Sequence, residues 1–228
     1  MDTHPRFQVI FAVLVCATLL FVPAAVVTAQ DKAEPKLDAK AQSALQSMSD
    51  FYSGMDSLTL VGGAKITREI QGQSQDLHTK FNFAMQRPNH FAMTPTGPDA
   101  DRWSAIVVDG EKMTIYVGQV NKYTVDDAPK TLDALMSNRL VGMLSGQVGQ
   151  VVGALMTSDP YQRLMQNVVK AEHLGTVDVD GRKAHHLRVS EPQISWEAWI
   201  AAGDKPELLK VKPDMSPIEQ RAREAGQD

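Results

Sequence analysis

The chain has 228 residues with 23 Lys or Arg against 27 Asp or Glu, a formal net charge of −4, and one cysteine, Cys16. That balance provides no basic patch for nucleic acid or an anionic membrane surface. A single thiol excludes a disulfide framework and a multi-cysteine metal site.

Residues 1–29 have the pattern of a cleavable secretory signal: Arg6 precedes an uncharged stretch in which only Gln8, Thr18 and Thr28 are clearly polar. Pro23 breaks the apolar run, and Val27-Thr28-Ala29 places small residues where a signal peptidase reads, so cleavage is expected after Ala29. About 20 apolar residues would also span a bilayer. Pro23 and the cleavage site argue against such a retained anchor, and Val15 before Cys16 argues against lipid attachment there. Cleavage removes Asp2, Arg6 and Cys16, so the mature domain keeps its net charge, has no cysteine nucleophile, and depends on core packing for stability. The expected product is a periplasmic protein with no stable membrane anchor.

After a polar linker, residues 30–36, residues 37–228 are long enough to form one domain with a substantial core. Leu37, Ala41, Ala44, Leu45, Met48 and Tyr52 recur at three-and-four spacing and predict an amphipathic helix, with Gly54 as a terminator of free φ. Residues 58–70 and 77–86 then read as strands joined by a turn near Gly72. In the second, Leu77, Thr79, Phe81, Phe83 and Met85 alternate with mostly polar residues. Arg87-Pro88-Asn89 interrupts the pattern, because proline cannot donate to a ladder, and residues 90–94 resume it. Residues 103–117 predict a hairpin about Asp109-Gly110, with Trp103, Ala105 and Val107 on one side of the first arm and Met113, Ile115 and Val117 on one side of the second. Asp180-Gly181 repeats the device between residues 176–179 and 182–189.

Between the hairpins the period becomes helical. Residues 131–144 and 150–156 are rich in Leu, Met, Ala and Val and are interrupted by Gly142, Gly146, Gly149 and Gly153, which predicts a broken, mobile insert. Asp159-Pro160 starts a further short helix as N-cap and first-turn proline. Strands return at residues 194–200 and 208–211, and the capping box Ser216-Pro217-Ile218-Glu219 predicts a terminal helix through Ala225.

The ordered set Arg87-Pro88-Asn89, Val108-Asp109-Gly110 with Met113-Thr114-Ile115-Tyr116, and Ala128-Pro129-Lys130-Thr131-Leu132-Asp133 resembles the bacterial family called domain of unknown function 2092. Asp159-Pro160-Tyr161, His186-Leu187 and Trp196-Glu197-Ala198-Trp199-Ile200 extend the resemblance over about residues 40–212. It implies a predicted periplasmic protein similar in fold to the lipoprotein carriers and receptors LolA and LolB. That fold is α+β: a strongly curved antiparallel sheet, an incomplete barrel, with helices as a lid in its mouth. Members of the family tend to carry a cysteine where Ala184 stands and an acidic residue where Ser195 stands, and they usually continue through further strands beyond Val211, so an open sheet edge is expected here.

No catalytic constellation emerges, and neither an enzymatic activity nor a metal or cofactor is expected. His185 and His186 are neighbours in a strand and point to opposite faces. Counting from the Asp180-Gly181 turn places His186 opposite Gly175 and His173 opposite Arg188, which gathers no ligand cluster with His78 or His90. Ser190 and Ser195 lie in no nucleophile elbow. Trp196 and Trp199 fall on opposite strand faces, so at most one lines a cavity. Core filling is the commoner role of methionine. If the glycine-broken insert covers a half-barrel, however, Met136, Met143 and Met156 with Phe81, Phe83, Trp103, Ile115 and Trp199 are the candidates for an apolar cavity. The expected function is binding of a lipid, acyl chain or other hydrophobic ligand. The alternative is an envelope interaction or assembly protein that takes a protein partner on its concave face or open edge.

Overall fold

Asp38 starts the first helix, α1 (Ala39–Ser53), by accepting the backbone N–H groups of Lys40 and Ala41 at 2.9 and 3.1 Å. The computed structural model describes residues 34–214 apart from 71, 72, 99 and 193, and gives the backbone alone for residues 64–78. The expected signal, the Gly72 turn and the terminal helix lie outside the described residues. Along α1 the three-and-four spacing buries Ala41, Ala44, Leu45, Met48 and Tyr52. Leu45 and Met48, at 1% and 0% exposure, each contribute roughly 1.5–3 kcal/mol by leaving water. Gly54 does follow the helix, but at φ −74° and ψ 0° it uses none of glycine's left-handed freedom; its N–H simply continues the helical ladder to the Asp50 carbonyl.

Six strands succeed one another in a sequential antiparallel sheet: β2 (Ser57–Ile70), β3 (Gln73–Gln86), β4 (His90–Thr96), β5 (Ser104–Asp109), β6 (Lys112–Val117) and β7 (Lys122–Asp127). A second sheet runs β1-β8-β9-β10-β11, from β1 (Lys36–Leu37), β8 (Lys170–Val179), β9 (Arg182–Ser190), β10 (Ser195–Ala201) and β11 (Leu208–Asp214). Among the described residues only β1 is parallel to its neighbour, and through it the last residue of the expected linker, Lys36, already belongs to a ladder. The chain passes from one sheet to the other through α2 (Leu132–Met136), α3 (Arg139–Ala154) and α4 (Pro160–Met165), capped by Thr131, Asn138 and Asp159. The class is α+β with antiparallel sheets and no closed barrel. Among the described residues, no ladder joins the two sheets.

Each sheet has its own core. Against the five-stranded sheet, α1 and the ends of α3 and α4 cover Leu187, Val189, Trp196, Ala198 and Ile200. Against the six-stranded sheet, α2 and α3 meet Met85, Phe91, Met93, Ile106, Val108, Met113 and Ile115. Residues in register form rows across the inner face of that sheet: Leu58, Met85, Phe91, Val108 and Met113 in one, Leu60, Phe83, Met93, Ile106 and Ile115 in the next. The buried side of β5 is therefore Ile106 and Val108; Val107, on the side expected to carry its apolar stripe, is 42% exposed. Because β5 is apolar on both faces, only its pairing decides which one is covered.

The two Asp-Gly turns also differ. Val179 pairs with Arg182, leaving a two-residue loop with Asp180 at φ 51° and Gly181 at φ 80°, as a type I′ turn requires. At the first hairpin the last pair is Val108 with Met113, so the loop has four residues. The Asp109 carboxylate accepts the N–H groups of Glu111 and Lys112 within it. The difference is imposed from outside: the Asn89 amide donates to the Gly110 carbonyl at 2.9 Å, and the Ala128 N–H donates to the Glu111 carbonyl at 2.8 Å.

Candidate functional site

The residues just beyond β3 hold the helical insert in place. Arg87 donates from Nε to the Met55 carbonyl and from Nη2 to the Thr157 carbonyl, each at 3.0 Å. Asn89 reaches the Gly110 and Pro129 carbonyls, and the Leu132 N–H bonds the Pro88 carbonyl. At the other end Ser158 donates backbone and hydroxyl groups to Asp133, and Arg163 Nη2 donates to the Met136 carbonyl at 2.8 Å. These bonds secure α2, α4 and the turn after α3. By contrast, Gly146, at φ 61° and ψ −173°, breaks the middle of α3 in a region open essentially to glycine alone.

Cover over the inner face of the six-stranded sheet thins along the strands. The row through Ile106 and Ile115 is sealed, at 0% and 1% exposure, but its outer members Leu60 and Phe83 are only partly buried. In the next row Phe81 pairs with Pro95, and both are half-covered. The Phe81 ring meets Phe83 at 6.0 Å and Trp103 edge-on at 5.3 Å and 88°. Val117 joins them as a partly buried residue of the same face. The same core also takes Leu140 and Leu144 of α3, whose Met143 and Val148 are 70% and 40% exposed. The result is an apolar aromatic shelf at the margin of a core on which a kinked helix packs.

Of the cavity candidates, the structure brings together Phe81, Phe83 and Trp103, with Ile115 in the adjoining core. Met156 is sealed in that core at 1% exposure, Met136 packs at its margin, and Met143 points into solvent from α3. Trp199 belongs to the other sheet, on β10. Two hollows, of about 140 Å³ between α3, α4 and Trp196 and about 300 Å³ between α1, His185 and the end of β10, are not lined by Phe81, Phe83 or Trp103.

Trp199 stands instead in a polar row. His186 stacks on it at 4.4 Å and 13°, and the Lys210 ammonium sits 4.8 Å from its ring centre on the neighbouring strand. The Glu197 carboxylate bonds Arg188 and His186, each at 2.9 Å, and these bonds, Arg188 foremost, hold it below the usual carboxylate range. The expected Gly175 partner of His186 is correct. The expected Arg188 partner of His173 is not: a bulge at Leu174 shifts the register, so His173 pairs with Leu187 and reaches His185, nitrogen to nitrogen at 3.1 Å. Burial first, then His173 and Lys40, push the His185 imidazole below its ordinary value. The one local sign of the bulge is Gly175 inside the strand, at φ 138°, and counting from the turn alone overlooks it, which is why sequence reasoning missed this pair. Among the described residues, no three His, Cys, Asp or Glu side chains are placed to hold a metal, and no helix is long and apolar enough to cross a membrane.

A search of curated proteins finds no match to the chain. Among solved structures it is similar to the lipoprotein LppX of Mycobacterium tuberculosis, at 13% identity and TM-score 0.43 over 78% of this chain and 88% of that one. It is also similar to LprF of Mycobacterium bovis, at 15% and 0.35 over 78% and 87%. A LolA superfamily protein of Nitrosomonas europaea matches at 13% and 0.33 over 76% and 70%. The family model described as "Predicted periplasmic protein (DUF2092)" matches residues 41–214, the span that contains β2 to β11, the insert and the Arg87-Pro88-Asn89 anchor, and the chain belongs to that family.

Proposed function

We propose that the protein is a periplasmic binding module that holds an acyl chain or another hydrophobic ligand on the shelf of Phe81, Phe83 and Trp103, at the margin of the core on which α3 packs. The observation that carries this reading is the gradient of cover on one sheet face, from sealed Ile106 and Ile115 to half-open Phe81 and Phe83. A face built only as core has no reason to leave three aromatic side chains partly wet at the margin of a core whose helix α3 also exposes Met143 and Val148. Gly146 breaks α3 between the secured α2 and the secured turn that follows α3, so its first half is the part whose motion would lengthen the shelf, at the cost of lifting Leu140, Val141 and Leu144 from the core.

Native mass spectrometry of protein recovered from periplasm tests the reading directly. Co-purified lipid is expected, together with saturable binding of cis-parinaric acid that Phe81→Asp weakens at least tenfold. A ligand-free species whose cis-parinaric acid binding is absent, or unchanged by Phe81→Asp, would overturn it. The same shelf suits an apolar segment of another envelope protein, and a bound polypeptide in place of lipid identifies that case.

A further inference from the structure

The last strand of the six-stranded sheet, β7, has an unusual property. All six of its residues are exposed, and its outer edge is the end of the sheet order. Edge strands are normally protected by being short, bulged, covered or charged. The ladder from β6 to β7 is regular from Lys112–Asp127 to Val117–Lys122, with no bulge. Its charges are Lys122 at one end and Asp126 and Asp127 at the other, and Asp127 is already paired with Lys112 at 2.7 Å. Tyr123 and Val125, 70% and 51% exposed, share the outer face with Val107 and Tyr116.

We propose that β7 is a dimerisation edge whose partner is β7 of a second copy of this chain, antiparallel, with the two-fold axis at Thr124. A two-fold axis perpendicular to the sheet keeps inner faces with inner faces, so residues whose numbers differ from 124 by equal and opposite steps lie opposite each other. Lys122 of each copy then faces Asp126 of the other, Tyr123 faces Val125, and Thr124 faces Thr124. These are an opposite-charge pair, an aromatic with a β-branched residue, and a threonine pair, the three kinds of cross-strand neighbour that favour antiparallel pairing. The sequence Lys-Tyr-Thr-Val-Asp is thus complementary to itself when reversed about its centre. The charges that would repel an unrelated strand select this one. Pairing also joins Tyr123 and Val125 of both copies into one apolar ridge on the outer face.

The test uses charge reversal in protein recovered from periplasm, with sedimentation velocity from micromolar to millimolar concentration. The wild type should dimerise, and hydrogen exchange should show protection of the β7 amides that grows with concentration. Lys122→Asp sets Asp against Asp, Asp126→Lys sets Lys against Lys, and each alone should be monomeric. An equimolar mixture of the two variants restores both ion pairs and should form a heterodimer, as the double variant K122D/D126K should with itself. Because both positions are exposed, near-native circular dichroism of the single variants is the folding control. A wild type that stays monomeric at millimolar concentration, single variants that dimerise like the wild type, or a mixture that stays monomeric would each overturn the proposal.

Discussion

The guanidinium of Arg87, at the end of β3, donates to the carbonyl of Thr157, 70 residues later in the turn that follows α3, at 3.0 Å. Its Nε holds the Met55 carbonyl at the same distance. One side chain therefore joins the first connection of the domain to the far end of its helical insert. Thr157 is 3% exposed, so in the folded chain its carbonyl depends on Arg87 rather than on water for a partner.

Arg87→Ala is expected to lower stability by about 2–3 kcal/mol, because hydrogen bonds to a charged group are the stronger kind and two acceptors lose their partner. Urea unfolding reads this as a lower midpoint with an unchanged slope. Arg87→Lys should recover less than half, since an ammonium lacks the fork that serves both carbonyls.

Two glycines should be intolerant of alanine for different reasons. At Gly118 a Cβ would collide with the backbone carbonyls of Asp101 and Trp103, which cannot rotate away. Gly118→Ala should cost about 1–3 kcal/mol and shift the emission of Trp103. At Gly146 there is space but not conformation. Gly146→Ala should cost about 1–3 kcal/mol if the kink persists, whereas a rise in far-ultraviolet helical signal would show that α3 straightens instead.

Acid should weaken the fold in two windows with the same sign. His185 has a folded pKa below its ordinary 6.5, so the unfolded chain takes up the proton first, and stability falls as pH drops from 6.5 toward the folded value. Glu197 is held below 4.5, chiefly by Arg188 and then by His186; its contribution is present above 4.5 and disappears as pH falls through the folded value. Both groups keep partial contact with solvent, which keeps the effects modest. In urea titrations at successive pH values, His185→Gln should remove the upper slope and Glu197→Gln the lower one.

Export leaves a covalent signature. With cleavage after Ala29, the intact mass of the periplasmic protein should correspond to a chain beginning at Gln30, without any cysteine. A mass that includes residues 1–29 would instead identify a retained anchor.

Much of the fold was legible wherever a local rule decides it. Asp159-Pro160 announces α4, and its carboxylate accepts the Gln162 N–H as an N-cap should. The alternation in β3 and β6 gave the correct buried faces, because one side of each is clearly the more apolar. The spacing in α1 did the same. The candidate site was legible in part: aromatic residues two apart on β3 share a face, so Phe81 and Phe83 had to meet. Trp199 was misplaced beside them because sequence distance says nothing of which sheet a strand enters.

The sequence by itself determined most of the order of strands and helices, β1 and β7 excepted, together with the turns where Asp precedes glycine, the helix start at Asp159-Pro160, and the faces of strongly alternating segments. All of these depend on φ preferences and periodicity within a few residues. Only the tertiary structure decided that β5 buries Ile106 and Val108, that the first Asp-Gly loop has four residues, and that a bulge at Leu174 brings His173 to His185. In each case several local geometries have similar energy, and contacts from distant segments, such as Asn89 on Gly110, select among them.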